Sequence, residues 1–237
     1  LLVDNNSIEK ETFKMFDKFK NKYDNFKIIK ANMDFNYSKI NNLAINKSKS
    51  NIIVLLNNDT KVITPKWLKT MVGYAIQDHI GAVGPKLLYE DGTVQHGGVL
   101  LGLNAVASHA YINASDDESG IYGRLRVPYN YSAVTAACLA VERSKAIEVG
   151  LLDEKLKVAY NDIDFNLKLR NKGYYNVFLP QVSLYHLESK SRGLDTTFDK
   201  YEKFKKEEDY MLQKYKDIIN NDPFYNSNYS KCDPEAN

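Results

Sequence analysis

Ile52-Ile53-Val54-Leu55-Leu56-Asn57-Asn58-Asp59-Thr60 sets five consecutive apolar residues against an abrupt polar stop. An apolar run without alternation suits a central parallel strand buried on both faces. The polar cluster then falls at that strand's carboxyl end, where open α/β sheets bind their ligands. Just beyond it, Thr64-Pro65 supplies an N-cap followed by proline at the first helical position. Trp67, Leu68, Met71, Val72, Ala75 and Ile76 recur as the apolar stripe of the helix that follows.

Upstream, Leu1 to Val3 reads as a short buried strand ended by the loop Asp4-Asn5-Asn6-Ser7. The chain enters this strand partway, so further sheet is expected before it. Ser7 is a good N-cap for a helix with Glu9 and Glu11 in its first turn and Phe13, Phe16 and Tyr23 on its inner face. Phe26 to Ile29 predicts another strand, and Ile40, Leu43 and Ala44 predict a helix starting near Ser38. Strand alternating with helix indicates a doubly wound parallel sheet.

Downstream the pattern changes. Ala82 to Tyr89, the turn Glu90-Asp91-Gly92, and Thr93 to Leu101 predict a hairpin. Gly102 to Tyr131 is Gly-rich and polar, long for a loop, and such loops are commonly functional. Helices are expected near Glu142–Val149 and Asn161–Lys172, stopped by Gly150 and Gly173. Strands Tyr175–Leu179 and Val182–Tyr185 precede a last helical region. The expected organisation is one domain over residues 1–220, with a nucleotide-binding half to about 90 and an acceptor half beyond it, then a loosely held polar tail over 221–237.

Composition limits the function. At 237 residues and 43% apolar content, one large α/β domain with a sizeable core is expected. The net charge of +2 gives no nucleic-acid footprint. Phe198 to Lys216 interleaves Lys and Glu as a solvated helix face does. Cys138 lies in the apolar run Val134–Val141 and reads as a small buried hydrophobe, while Cys232 sits in the polar tail; two cysteines are no disulfide framework. No apolar stretch approaches the about 20 residues of a membrane span. A cytoplasmic location, including the inner face of the cell membrane, is the expectation.

Three polar clusters fall at strand ends: Asp4–Ser7, Asn57–Asp59 and His186. A fourth, Asn161-Asp162-Ile163-Asp164, opens a helix. Singly, each has a simpler structural reading. Asp162 and Asp164 suit a helix start, Asp4 and Asp59 suit turns, and a lone His is more often structural than a ligand. The combination is harder to explain that way.

In their order these segments resemble the family 2 glycosyltransferases, whose fold is the GT-A (nucleotide-diphospho-sugar transferase) type. The likeness runs from Leu1 to about Asn228. Val3-Asp4-Asn5-Asn6-Ser7 resembles the family's base-binding turn, and Leu55–Thr60 stands where the family carries its Asp-x-Asp metal motif. Tyr160–Phe165 is similar to the acidic motif that holds the catalytic base, and Tyr185-His186-Leu187-Glu188-Ser189 to the late metal-binding His segment. The resemblance implies an α/β fold with a mostly parallel central sheet and a smaller mixed acceptor side. It implies Asp59 and His186 as ligands of Mn²⁺ or Mg²⁺, Asp162 as general base, and Asp4, Asn6, Asn57 and Asn58 at the donor nucleotide. Weaker candidates beside the resemblance are Gln95-His96-Gly97-Gly98, which fits either close backbone approach to the donor sugar or a glycine bulge, Asp164 as a support or acceptor-site residue, and Lys190 and Arg192 in a basic loop able to close over a diphosphate. Tyr129-Asn130-Tyr131 fits an acceptor pocket or plain core packing. The sequence departs from the pattern at Asn57 and Asn161, where acids are usual, and the family's first strand has no counterpart.

The chemistry requires these residue types. A departing diphosphate concentrates negative charge that a divalent cation neutralises, worth several kcal/mol in the transition state; oxygen ligands suit either metal and an imidazole favours Mn²⁺. A carboxylate that takes the acceptor hydroxyl's proton contributes about 10²–10⁴-fold. The expected reaction is inverting transfer from a UDP- or dTDP-sugar to a saccharide or lipid-linked acceptor in bacterial surface polysaccharide assembly, with rhamnosyltransferase-like relatives. Two other readings stay open: a non-catalytic sugar- or nucleotide-binding module, and a sugar nucleotidyltransferase.

Overall fold

The computed structural model describes residues 1–187, 198–226 and 228. Strands β1 (Leu2–Asp4) and β2 (Ile28–Lys30) pair in parallel, joined by helix α1 (Lys10–Lys22). Then follow α2 (Tyr37–Lys47), β3 (Ile52–Leu56), β4 (Thr60–Val62), α3 (Trp67–Ala75), β5 (Ile80–Leu88), β6 (Val94–His96), β7 (Val99–Leu101), β8 (Ala107–His109), β9 (Tyr129–Tyr131) and β10 (Cys138–Glu142). Helices α4 (Arg143–Glu148) and α5 (Asn161–Asn171), strand β11 (Tyr175–His186), and helices α6 (Phe198–Lys214) and α7 (Lys216–Asn220) complete the order.

The main sheet runs β3-β10-β5-β11-β4, with β6 on β5 and β9 on β11, while β7 and β8 form a separate pair. Side chains alternate between its faces. Ala82, Leu139 and Phe178 pack with Phe165 and Leu169 of α5; their neighbours Val83, Ala140 and Val177 pack with Met71 and Ala75 of α3. The two helices therefore cover opposite faces of one sheet.

The sheet is mixed, and less parallel than the sequence suggests. β5 and β11 are parallel, but β10 runs antiparallel to both β3 and β5. β3, expected at the centre and parallel, is instead at one end of the described sheet, and its Leu56 is 47% exposed. The inner place goes to β10, whose Cys138, Leu139, Ala140 and Val141 are all buried. An apolar run reports burial and carries no strand direction.

Smaller differences have local causes. Ser7 does not cap α1; its N–H is held by the Asp4 carboxylate (3.1 Å), and only Phe16 of the helix is buried, with Phe13 and Tyr23 exposed. Asn36 caps α2 in place of Ser38, whose hydroxyl donates to the Leu156 carbonyl (2.7 Å). Thr64 bonds Ser183 and leaves Lys66, at φ 61°, before α3. The two last predicted strands are one, β11, with an irregular register between Leu179 and Ser183, where Pro180 can donate nothing to the ladder. The long segment after Gly102 holds β8, a 3-10 turn at Ile121–Gly123, and β9.

Helix α6 is not solvated all round, since Glu207, Glu208 and Met211 are buried. Beyond residue 220 the chain still packs: the buried Asp222 accepts from Leu101 N–H and Ser132 hydroxyl, both at 2.7 Å, and Tyr225 is buried. Cys138 is buried beside Met71 as expected, and burial pushes its thiol up to about 12.

Candidate active site

β3, β4 and β11 bring the polar turn and His186 together. β4 pairs antiparallel with the end of β11, opposing Thr60 to His186, and Asp59 carbonyl accepts the Leu187 N–H at 2.8 Å. His186 Nε2 stands 3.3 Å from Asp59 Oδ1 and 3.4 Å from Asn57 Nδ2.

The tautomer of His186 follows from Gln95 on β6. The Gln95 amide N–H₂ donates to the His186 carbonyl (3.3 Å), which can only accept, so its Oε1 is the atom 2.8 Å from His186 Nδ1. Nδ1 therefore carries a proton, and in the neutral ring the Nε2 lone pair is left to the Asn57 amide side and to Asp59. That lone pair faces Asp59 Oδ1, a buried oxygen with no hydrogen-bond donor among the described residues. Two acceptors facing each other across 3.3 Å call for a cation or a proton between them. A carboxylate oxygen with an imidazole whose far nitrogen is held by Gln95 is a donor set that fits a divalent ion. Among the described residues no group of three or more His, Cys, Asp or Glu could hold a metal, so a cation held by these two groups would need water or substrate oxygens to complete its shell.

Asp162, half-buried in the first turn of α5, accepts from Ala136 N–H (3.1 Å) and from Ile163 N–H (2.9 Å). The next residue's carbonyl, that of Ala137, accepts Asn57 N–H at 2.9 Å. Two adjacent residues thus join the Asp162 carboxylate to the polar turn that carries Asp59. Tyr37 closes the same corner by donating to the Ala136 carbonyl (3.0 Å); burial, with the Asp162 charge, pushes its hydroxyl well above the usual range.

The remaining predicted residues separate. Asp4 is buried at the end of β1, while Asn6, at φ 61°, and Asn5 bond the Met33 carbonyl, and Asn58 is exposed. Asp164 is not at the cleft: its fully buried carboxylate takes Lys214 (2.6 Å) and Tyr215 (2.9 Å), with Lys168 at 3.1 Å, and ties α5 to the C-terminal helices. His96 is also a correction. It is fully buried, 2.6 Å from His109 through their Nδ1 atoms, and burial, then His109 and His186, hold it well below the usual imidazole range. Gly97 and Gly98 make room for protein and not for sugar: a Cβ on Gly97 would meet Leu125 at 2.9 Å, and one on Gly98 would meet the Tyr131 ring at 2.4 Å. Tyr131 is core, stacked edge-on against Phe178. Asn161 bonds the Val158 carbonyl (3.1 Å). Lys190, Arg192, Glu188 and Cys232 lie outside the described residues.

Sequence reasoning did not find the clamp of Gln95 or the part played by Tyr37 and Ala136. Gln95 and His186 lie 91 residues apart, and nothing in either segment names the other.

The fold is that of nucleotide-sugar-dependent glycosyltransferases. The structure superposes on GalNAc-T7 solved with UDP, GalNAc and Mn²⁺ (TM-score 0.71, 16% identity, 98% of this chain and 45% of that one). It also superposes on Staphylococcus aureus TarS 1–349 in complex with UDP-GlcNAc (0.59, 15%, 92% and 60%). A third is the mannosyltransferase PcManGT from Pyrobaculum calidifontis with GDP-Man and Mn²⁺ (0.57, 16%, 81% and 48%).

Residues 1–119, half of the chain, match the family model described as Glycosyl transferase family 2, and the chain belongs to that family. It is 42% identical over 229 residues to the uncharacterized protein y4gI of Sinorhizobium fredii, covering 96% of this chain and 25% of that protein. It is 34% identical over 233 residues to the O-antigen biosynthesis protein RfbC of Myxococcus xanthus, covering 95% and 17%. The chain thus spans a quarter or less of these relatives' length. Among the described residues no helix is long and apolar enough to cross a membrane.

Proposed function

We propose that this chain is an inverting glycosyltransferase domain that moves a sugar from a nucleoside-diphosphate sugar to a saccharide or lipid-linked acceptor during cell-surface polysaccharide synthesis. The observation that carries the reading is the facing pair Asp59 Oδ1 and His186 Nε2 at 3.3 Å, with Asp162 linked to the same turn through Ala136 and Ala137. The polysaccharide context is supported by the similarity to RfbC.

Asp59 and His186 would hold Mn²⁺ or Mg²⁺, with Mn²⁺ favoured by the imidazole. Bound there, the ion neutralises charge on the departing diphosphate. Asn57 lacks the charge of the usual acid, but its Nδ2 can donate to a ribose oxygen. Asp162, whose two oxygens each accept one backbone N–H, keeps lone pairs free for the acceptor hydroxyl. It takes that proton as the oxygen attacks the anomeric carbon, the carbon–oxygen bond to the diphosphate breaks, and the nucleoside diphosphate leaves with the bonding pair. Attack opposite the leaving group inverts the centre. Asp4, Asn6 and Asn58 are assigned to the nucleotide; UDP and dTDP are the expected carriers, although the neighbours include a GDP-Man complex.

Asn57 and Asn161, in place of acids, favour a second reading, a binding module without turnover. Thermal shifts with UDP, dTDP and GDP, each with and without Mn²⁺, identify the nucleotide. A ligand at 100 times its Kd stabilises by about 2.7 kcal/mol. Mn²⁺-dependent hydrolysis of the matching nucleotide sugar, abolished by Asp162→Asn with the nucleotide shift retained, supports the enzyme. A nucleotide shift with no turnover in the wild type supports the module.

A further inference from the structure

The residues that lead into Asp162 are held by a helix that the proposed chemistry does not use. Glu207, on α6 and 8% exposed, accepts from three consecutive backbone N–H groups: Lys157 (2.8 Å), Val158 (3.3 Å) and Ala159 (2.7 Å). Successive amides around one carboxylate form an anion-binding nest, here filled from within the chain. The segment is fastened on its other side too, because the Lys157 carbonyl accepts Tyr37 N–H at 2.8 Å and Val158 carbonyl accepts Asn161 Nδ2 at 3.1 Å.

What this restraint sets is a turn that the backbone does not favour. Tyr160 follows directly, at φ 57°, in the left-handed region that bulky side chains avoid. Its ring rests against Phe204 of α6 (centroids 5.4 Å apart), and its hydroxyl is 3.5 Å from Glu208 Oε2. This kink turns the chain into α5, and Asp162 is two residues on. Tyr37 also supplies the hydroxyl that bonds Ala136, the residue whose N–H holds Asp162. One carboxylate on α6 therefore fixes the approach from which the candidate base is presented.

We propose that Glu207 is a positioning residue for Asp162, acting through the backbone of residues 157–160; this rests on the reading of Asp162 as the base. With Glu207→Gln, one oxygen is exchanged for an N–H₂ that cannot accept, and the nest can no longer be filled. A misplacement of about 1 Å can cost a hundredfold in rate, so the loss is expected in kcat and not in donor binding.

The experiment compares wild type, Glu207→Gln, Glu207→Asp and Tyr210→Phe in the whole chain. Tyr210→Phe loosens the same helix at Asp153, 2.7 Å away, without touching the segment. Each is measured for kcat per folded molecule, donor KM with Mn²⁺, and hydrogen exchange of the amides of 157–163. The expected result for Glu207→Gln is a kcat lower by about 10- to 100-fold, donor KM within about twofold, and faster exchange confined to that stretch. Glu207→Asp recovers part of the rate, and Tyr210→Phe keeps wild-type kcat. If Glu207→Gln does not fold, the shorter arm of Glu207→Asp is the test, and its kcat must fall while KM holds. Unchanged kcat per folded molecule in both Glu207 variants, with an active wild type, overturns the proposal. A wild type without metal-dependent turnover overturns the reading of Asp162 as base, and the positioning role with it.

Discussion

Gln95 grips His186 at two points, its amide oxygen on Nδ1 and its amide nitrogen against the backbone carbonyl of the same residue. This double contact fixes both the ring's orientation and its tautomer. Replacing such an outer partner typically costs 10–100-fold in metal affinity. Gln95→Leu, close in volume and unable to bond, is expected to weaken Mn²⁺ binding in the presence of nucleotide by about that factor, measured by calorimetry. Unchanged Mn²⁺ affinity would show that the ring is held without Gln95.

Asp59→Asn is expected to move stability and activity in opposite directions. Without metal, the new amide N–H₂ can donate to the His186 Nε2 lone pair, replacing two facing acceptors by a hydrogen bond worth about 1 kcal/mol. The apo protein should therefore melt slightly higher in EDTA, since the Asp59 carbonyl still holds Leu187 N–H. Mn²⁺-dependent turnover should fall by at least about a hundredfold. A variant that melts lower in EDTA would contradict the assigned tautomer.

Asp162 and Asp164 should separate cleanly. Asp164→Ala leaves Lys214, Lys168 and the Tyr215 hydroxyl without their shared buried carboxylate. Removing one partner of a buried ion pair costs about 3–5 kcal/mol, and a large drop in the urea midpoint is expected. kcat per folded molecule should stay near wild type. Asp162→Asn should do the reverse, with a small change in midpoint and turnover lost.

Acid stability should depend on Asp153. Burial opposes its ionisation, but hydrogen bonds from Lys214 (2.9 Å), Tyr210 (2.7 Å) and Lys155 N–H outweigh that and bring its carboxyl down to about 2. A carboxyl lowered in the folded state stabilises above the unfolded value of about 4, and that contribution is lost as pH falls toward 2. After allowing for solvent at Lys214, the contribution at neutral pH is on the order of 1–2 kcal/mol. Asp153→Asn should lower the urea midpoint at pH 7 and flatten its decline between pH 4 and 2. An unchanged acid limb would rule the group out.

The α/β character and the polar ends of β1, β3 and β11 were legible because apolar runs stopped by Asn, Asp or His mark strand ends in any context. Strand direction was not, since Cys138–Val141 and Ile52–Leu56 are equally apolar and only one could take the inner place. Nor could the sequence rank two acids in one helical turn. Asp162 and Asp164 are two residues apart, roughly 200° around the helix, so one meets Ala136 and the other the core under α6. Which is which depends on the packing of Met211 on α6, and of Tyr215 between α6 and α7, against Ile163 and Leu167. The glycines at 97 and 98 misled because close packing against Leu125 or Tyr131 and close packing against a ligand need the same absence of a side chain.

Ala136 offers its N–H to Asp162, and Ala137 its carbonyl to Asn57. Consecutive Cα atoms across a trans peptide stay about 3.8 Å apart whatever surrounds them. The span between the carboxylate and the turn after β3 is therefore ruled by covalent geometry, not by long side chains.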